Sequence, residues 1–134
     1  MHIHGILPQG YHLGDGKFRE AAEQIAWAQT NLGFMYRDGK GVPQDDQQAA
    51  KWFYKAAVQG GAEAQANLGI LYYHGRGMPQ DYQEAAKWFY KAAVQGDSEA
   101  QANLGTLYYY GRGVPRDYQQ ASEWFSKAAK QGNA

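Results

Sequence analysis

A unit of 36 residues is written three times without a gap, at residues 26–61, 62–97 and 98–133. Adjacent copies agree at 25 of 36 positions. Leu32, Leu68 and Leu104 share one register, followed at once by Gly33, Gly69 and Gly105. Tyr36, Tyr72 and Tyr108 keep the spacing, as do Pro43, Pro79 and Pro115, and Trp52, Trp88 and Trp124. Gly60, Gly96 and Gly132 close the copies. One unit of this size cannot bury its own apolar face, so the units must stack and share a core. The period therefore predicts an elongated array, an architecture that offers surface to partners more readily than it builds a catalytic pocket.

Each unit reads as two helices. In the middle copy Ala64, Leu68, Leu71 and Tyr72 recur at three- and four-residue steps, one apolar helical stripe. Gly75 and Gly77 bracket Arg76 and end that helix, and Pro79 bars its continuation. Asp81 then caps a second helix with Glu84 in the capping-box position, a device kept by Asp45 with Gln48 and Asp117 with Gln120. Ala85, Trp88 or Phe89, and Ala92 carry the second stripe. A glycine inside a helix costs about 1 kcal/mol relative to alanine. Three of them at one register, Gly33, Gly69 and Gly105, imply that helix backbones approach too closely there for any side chain. Trp and Phe of the second helices are expected to fill the gaps between hairpins.

The pattern AxxNLGxxYxxGxGVPxDxxxAxxWFxKAAxQG, with its GKG, GRG and GRG loops, resembles the Sel1-like repeat, a relative of the tetratricopeptide repeat. The resemblance covers residues 26–133. It implies an all-α, right-handed α-solenoid of three helix-turn-helix repeats, whose first helices line a concave groove that holds partners. Members are mostly adaptors and scaffolds in bacterial signalling, host interaction and eukaryotic protein quality control. A regulatory or inhibitory protein for a cell-envelope enzyme or secretion component is a further reading. Cysteine-rich relatives carry a disulfide in each repeat, and with no cysteine in this chain nothing carries over from them.

Residues 1–25 do not make a fourth copy. We read 1–16 as a tail, 17–25 as a degenerate helical extension running into repeat one (26–61), then repeat two (62–97) and repeat three (98–134). Phe18, Ala21, Ala22, Ile25, Ala28 and Leu32 keep helical spacing without a break, which predicts one long helix from about Lys17 to Tyr36. Trp27 stands where the other copies have Glu63 and Glu99. It is expected to contact either the N-terminal segment or another chain. At the far end no further helix follows to cover Trp124 and Phe125. Exchange of Val for Lys130, Tyr for Ser126 and Lys for Glu123 reads as polar capping of a true terminus. The apolar ends, with Phe18, Ile25, Trp27, Trp124 and Phe125, suggest a homodimer formed through one end or by exchange of the N-terminal helix.

Positions that differ between otherwise matching copies mark candidate partner contacts. On the first helices Thr30, Phe34, Arg37 and Asp38 correspond to Ala66, Ile70, Tyr73 and His74, and to Ala102, Thr106, Tyr109 and Tyr110. They lie off the Leu–Tyr stripe and are expected to line the groove. Asn31, Asn67 and Asn103 form a ladder whose amides could hold an extended peptide backbone or fix helix packing. Lys40, Arg76 and Arg112 form a basic row that could contact an anion. Their favourable placement at helix C-termini is the simpler reading.

The remaining classes find little support. Charges balance at 13 basic and 13 acidic residues, which disfavours nucleic acid as a partner. No stretch reads as a membrane span, and MHIHGILPQG lacks the basic and apolar regions of a secretory signal, so a soluble chain of unassigned compartment is expected. His2, His4 and His12 have no acidic or cysteine spacing to make a metal site. Ser98, Ser122 and Ser126 fall on repeat positions with no His placed beside them, so no catalytic residue and no cofactor is assigned. The expected function is a non-enzymatic module that binds a protein or peptide. A self-assembling structural module stacked through its ends is the alternative.

Overall fold

The computed structural model describes residues 16–132, with side chains from residue 24 onward. The tail with His2, His4 and His12, and the side chain of Phe18, lie outside the described residues. Six helices follow one another: α1 (Gly16–Asp38), α2 (Asp46–Val58), α3 (Ala62–His74), α4 (Tyr82–Val94), α5 (Ser98–Tyr110) and α6 (Tyr118–Gly132). Among the described residues there is no strand. Each helix packs on its neighbours in sequence, so three hairpins stack into an all-α solenoid. As the unbroken stripe predicts, α1 is one long helix.

The loop between the helices of a hairpin repeats to the bond. Gly39, Gly75 and Gly111 adopt left-handed backbone with φ of 67°, 68° and 68°, a conformation that side chains resist. The next residue turns its N–H back onto the helix, Arg76 to Leu71 O and Arg112 to Leu107 O, both at 2.9 Å. Asp45, Asp81 and Asp117 then accept from the N–H groups of Gln48, Glu84 and Gln120 at 3.0–3.1 Å. Only this half of the expected capping box forms. The cap's own N–H goes to the carbonyl of Tyr36, Tyr72 or Tyr108 at 2.9–3.0 Å, which ties the second helix to the end of the first. Glu84 instead pairs with Lys87. A cap unread in the sequence, Asp97, accepts from Ala100 N at the start of α5, where α3 has only Gly61.

The glycine expectation needs correction. The space beside Gly33, Gly69 and Gly105 is filled by an aromatic ring, not by a neighbouring backbone. A β-carbon on Gly69 would lie 2.7 Å from the Phe89 ring, and one on Gly33 or Gly105 would meet Phe53 or Phe125. Phe therefore packs within its own hairpin, and Phe53 and Phe89 are fully buried. Trp reaches the other way. Trp88 meets Tyr54 and Trp124 meets Tyr90 edge-on at 6.0 and 6.2 Å, each across the joint to the preceding hairpin. Trp124 is only 8% exposed, so the expectation that nothing covers it fails: its cover comes from behind. Lys55 and Lys127 each lie 4.5 Å over the Trp three residues earlier, which explains the recurring lysine.

A glutamine ladder crosses the joints. Gln65 Nε2 donates to Ala57 O and Gln101 Nε2 to Ala93 O, each at 3.1 Å and buried. Their free oxygens accept from Gln95 and Gln131 at 2.9 and 2.8 Å, and Gln59 meets Gln29 in the same way. Carbonyls in the last turn of one hairpin, which also accept from Gly60 N and Gly96 N at 3.0 Å, are thus bonded a second time by the next. Among the described residues no helix is long and apolar enough to cross a membrane.

Candidate functional site

Because the hairpins stack in register, equal positions of α1, α3 and α5 fall side by side. Phe34, Arg37, Asn67, Ile70 and Glu99 line one groove of about 440 Å³. Ile70 also borders a smaller pocket of about 110 Å³ with Tyr73, His74, Phe89, Asn103 and Thr106. Ile70 lines both hollows. Ten sequence candidates come together here: Phe34, Arg37, Asp38, Asn67, Ile70, Tyr73, His74, Arg76, Asn103 and Thr106. Tyr109 and Tyr110 stand apart, meeting each other edge-on at 4.9 Å, with Tyr118 beside Tyr109. Asn31 turns its amide back to Trp27 O at 3.0 Å. The position of Thr30 and Ala66, expected to face the groove, is packed instead: Ala66 lies in the core and Thr30 is buried with its hydroxyl on Ala26 O.

Groove polarity is set by a few bonds. Arg37 forks onto Asp38 with contacts of 2.9 and 3.1 Å, donates to Asn67 Oδ1 at 3.0 Å and covers the Phe34 ring. The hydrogen bond to Asp38 raises the Arg37 pKa above its ordinary value, and Asp38, Glu99 and Glu63 add to it through their charge. The same bond holds Asp38 below the usual carboxylate range. Asn67 also donates to Glu63 O at 2.9 Å, so both ends of this amide are engaged in fixing α1 and α3. Asn103 faces the smaller pocket.

The basic row behaves differently from a helix-end placement. Arg76 reaches back into the preceding hairpin and grips Asp46 at 3.0 and 3.2 Å. Arg112 does the same one unit later. It donates to the Tyr73 hydroxyl and lies over the rings of Tyr73, Tyr82 and Tyr110. Asp46 and Tyr82 hold the same position in their units, so one joint is an ion pair and the next a cation–π contact. Sequence reasoning missed both partners, although the exchange of Asp for Tyr at that register was visible. Lys40 is exposed on the first loop.

Of the residues considered for self-association, Ile25 is half-buried, Trp27 is 43% exposed and Phe125 is 38% exposed. Trp27 borders a separate hollow of about 500 Å³ with Gln59, Gly61 and Gln95. Among the described residues no group of three or more His, Asp or Glu side chains could hold a metal ion.

Comparison with known proteins agrees with this architecture. The Sel1 repeat profile matches residues 28–61, 62–97 and 98–133. Among solved structures, a protective antigen of uropathogenic Escherichia coli strains with an SLR fold superposes at a TM-score of 0.80 and 50% identity, over 87% of this chain and 25% of its own. A Sel1 repeat protein from Oxalobacter formigenes gives 0.80 and 38% identity, over 85% of this chain and 46% of its own. Cysteine rich protein B of Helicobacter pylori gives 0.68 and 26% identity, over 87% of this chain and 90% of its own. The chain thus spans a quarter of the first of these proteins and under half of the second. No curated protein sequence matches it.

Proposed function

This chain belongs to the Sel1 repeat family, and from that premise we propose that the face formed by α1, α3 and α5 binds an extended segment of a partner protein. Repeats of this family generally serve as protein–protein interaction modules, and their scaffold is typically non-catalytic. The reading rests above all on a groove and a smaller pocket that share Ile70 as a wall, which offers a bound chain both a track and a socket. The chain would then act as an adaptor or scaffold, with Phe34, Ile70 and Tyr73 supplying apolar contact and Asn103 a polar one. Three units offer a short track, so affinity around micromolar is expected, about −8 kcal/mol. Arg76 and Arg112 are left out of the contact set, because both guanidinium groups hold joints between hairpins.

The test is affinity capture from a lysate of the source cells, comparing wild type with Phe34→Thr/Ile70→Thr. The third unit carries Thr106 at that position, but Phe34 and Ile70 pack partly against the core, so the helicity and melting of the variant are matched to wild type before capture is compared. A protein held by wild type and released by the variant supports the groove. Equal capture by both contradicts it. A second reading, association of copies through an end of the solenoid, is favoured by the exposed faces of Phe125 and Trp27. A single monomer mass in light scattering across a wide concentration range would rule it out.

A further inference from the structure

We propose that the segment taken by this groove is cationic, an extended peptide carrying a lysine or arginine close to a short apolar side chain. The proposal rests on the groove reading above and adds the chemistry of the occupant. Four carboxylates, Asp38, Glu63, Asp97 and Glu99, line the groove against two guanidinium groups, Arg37 and Arg76. Both guanidinium groups are engaged, Arg37 by Asp38 and Asn67 and Arg76 by Asp46. Asp97 is occupied as the cap of α5. Glu63 and Glu99 are exposed and form no ion pair among the described residues. Their charge reaches Arg37 across the groove, adding a little to the rise in its pKa that Asp38 causes.

The whole chain is neutral, so this acidic excess is local and not a bulk property. A cation between Glu63 and Glu99 gains attraction from two exposed carboxylates that sit in the first turns of α3 and α5 and feel Arg37 only through space, with no ion pair of their own among the described residues. An acidic segment would meet them with no free guanidinium in the groove to compensate, which selects against it. Beside this charged stretch lies the small pocket walled by Ile70, Tyr73 and Phe89, with Thr106 and Asn103 at its edge. Its size suits one short aliphatic side chain. Charge and socket together describe a mixed cationic and apolar motif, distinct from a purely basic tail.

A displayed library of random dodecapeptides, selected on the wild-type protein and counter-screened on Phe34→Thr/Ile70→Thr, tests this. The expected result is enrichment of Lys or Arg near an aliphatic residue. A synthetic peptide of the enriched sequence should bind Glu63→Gln/Glu99→Gln about tenfold more weakly than wild type, and should weaken as sodium chloride is raised. Enriched peptides that are neutral or acidic but still depend on Phe34 and Ile70 overturn the cationic preference while leaving the groove in place. So does a basic peptide that binds the Glu63→Gln/Glu99→Gln protein undiminished. If no peptide distinguishes wild type from the groove variant, both the preference and the groove reading fall.

Discussion

Gly69 and Gly105 occupy the same register yet carry different constraints. A β-carbon on Gly69 would press into the ring of Phe89, which is 2% exposed and has nowhere to turn. Overpacking of this kind costs about 1–3 kcal/mol, against roughly 1 kcal/mol recovered from better helix propensity. Gly69→Ala should therefore lower stability in denaturant melts by about 1 kcal/mol. Gly105→Ala should cost less or nothing, because Phe125 is partly exposed and can swing away. Equal losses at the two sites would contradict the ring as the cause. Tyr72 gives a pH test. It packs against both halves of the core, and burial pushes its pKa above the ordinary 10.0. The unfolded chain then ionises first, so this contribution is intact below about pH 10 and is lost as pH rises through the folded value. Tyr72→Phe should flatten that alkaline loss, measured as stability against pH.

Helices show where the sequence was readable and where it was not. The Gly–x–Gly–x–Pro–x–Asp stretch announces its turn because each residue there is needed for backbone reasons that leave a fixed spacing. The glutamine ladder uses the same strict register, but Gln is ordinary on a helix surface, and its burial arises only when hairpins stack. Gln65→Ala should cost about 1 kcal/mol, since it removes the bonds to Ala57 O and from Gln95, while Ala57 O keeps Gly60 N–H and the Gln95 amide keeps Gly60 O. Gln59→Ala, on an exposed partner, should cost clearly less in the same melts. The cap of α5 suggests a gain. Gly61 has φ −66° and ψ 115°, almost the backbone of Asp97 at −69° and 114°. Gly61→Asp should thus cap α3 and raise stability by a few tenths of a kcal/mol. A fall in the melting midpoint would show that the site does not tolerate the side chain as Asp97 does.

Across the whole molecule, stability is a matter of neighbouring joints. Buried residues concentrate in α3 and α4 and thin out in α6, where only Ala121 and Trp124 are buried. Hydrogen exchange should therefore find the central hairpin best protected and α6 opening first. The repeat period made the stacking legible. It did not reveal that Arg76 and Arg112 belong to the joints, because their partners lie one unit back and differ in chemistry. It brought ten candidate residues to one place and set Tyr109 and Tyr110 outside it, since the pocket ends with α5 at Thr106. The most direct measurement is an NMR titration of isotope-labelled protein with the peptide that the library selects. Amide shifts should concentrate at Phe34, Ile70, Asn103 and Thr106 on α1, α3 and α5. Shifts centred instead on the outer helices near Tyr54 and Tyr90, or on an end of the stack at Phe125, would contradict binding in the groove.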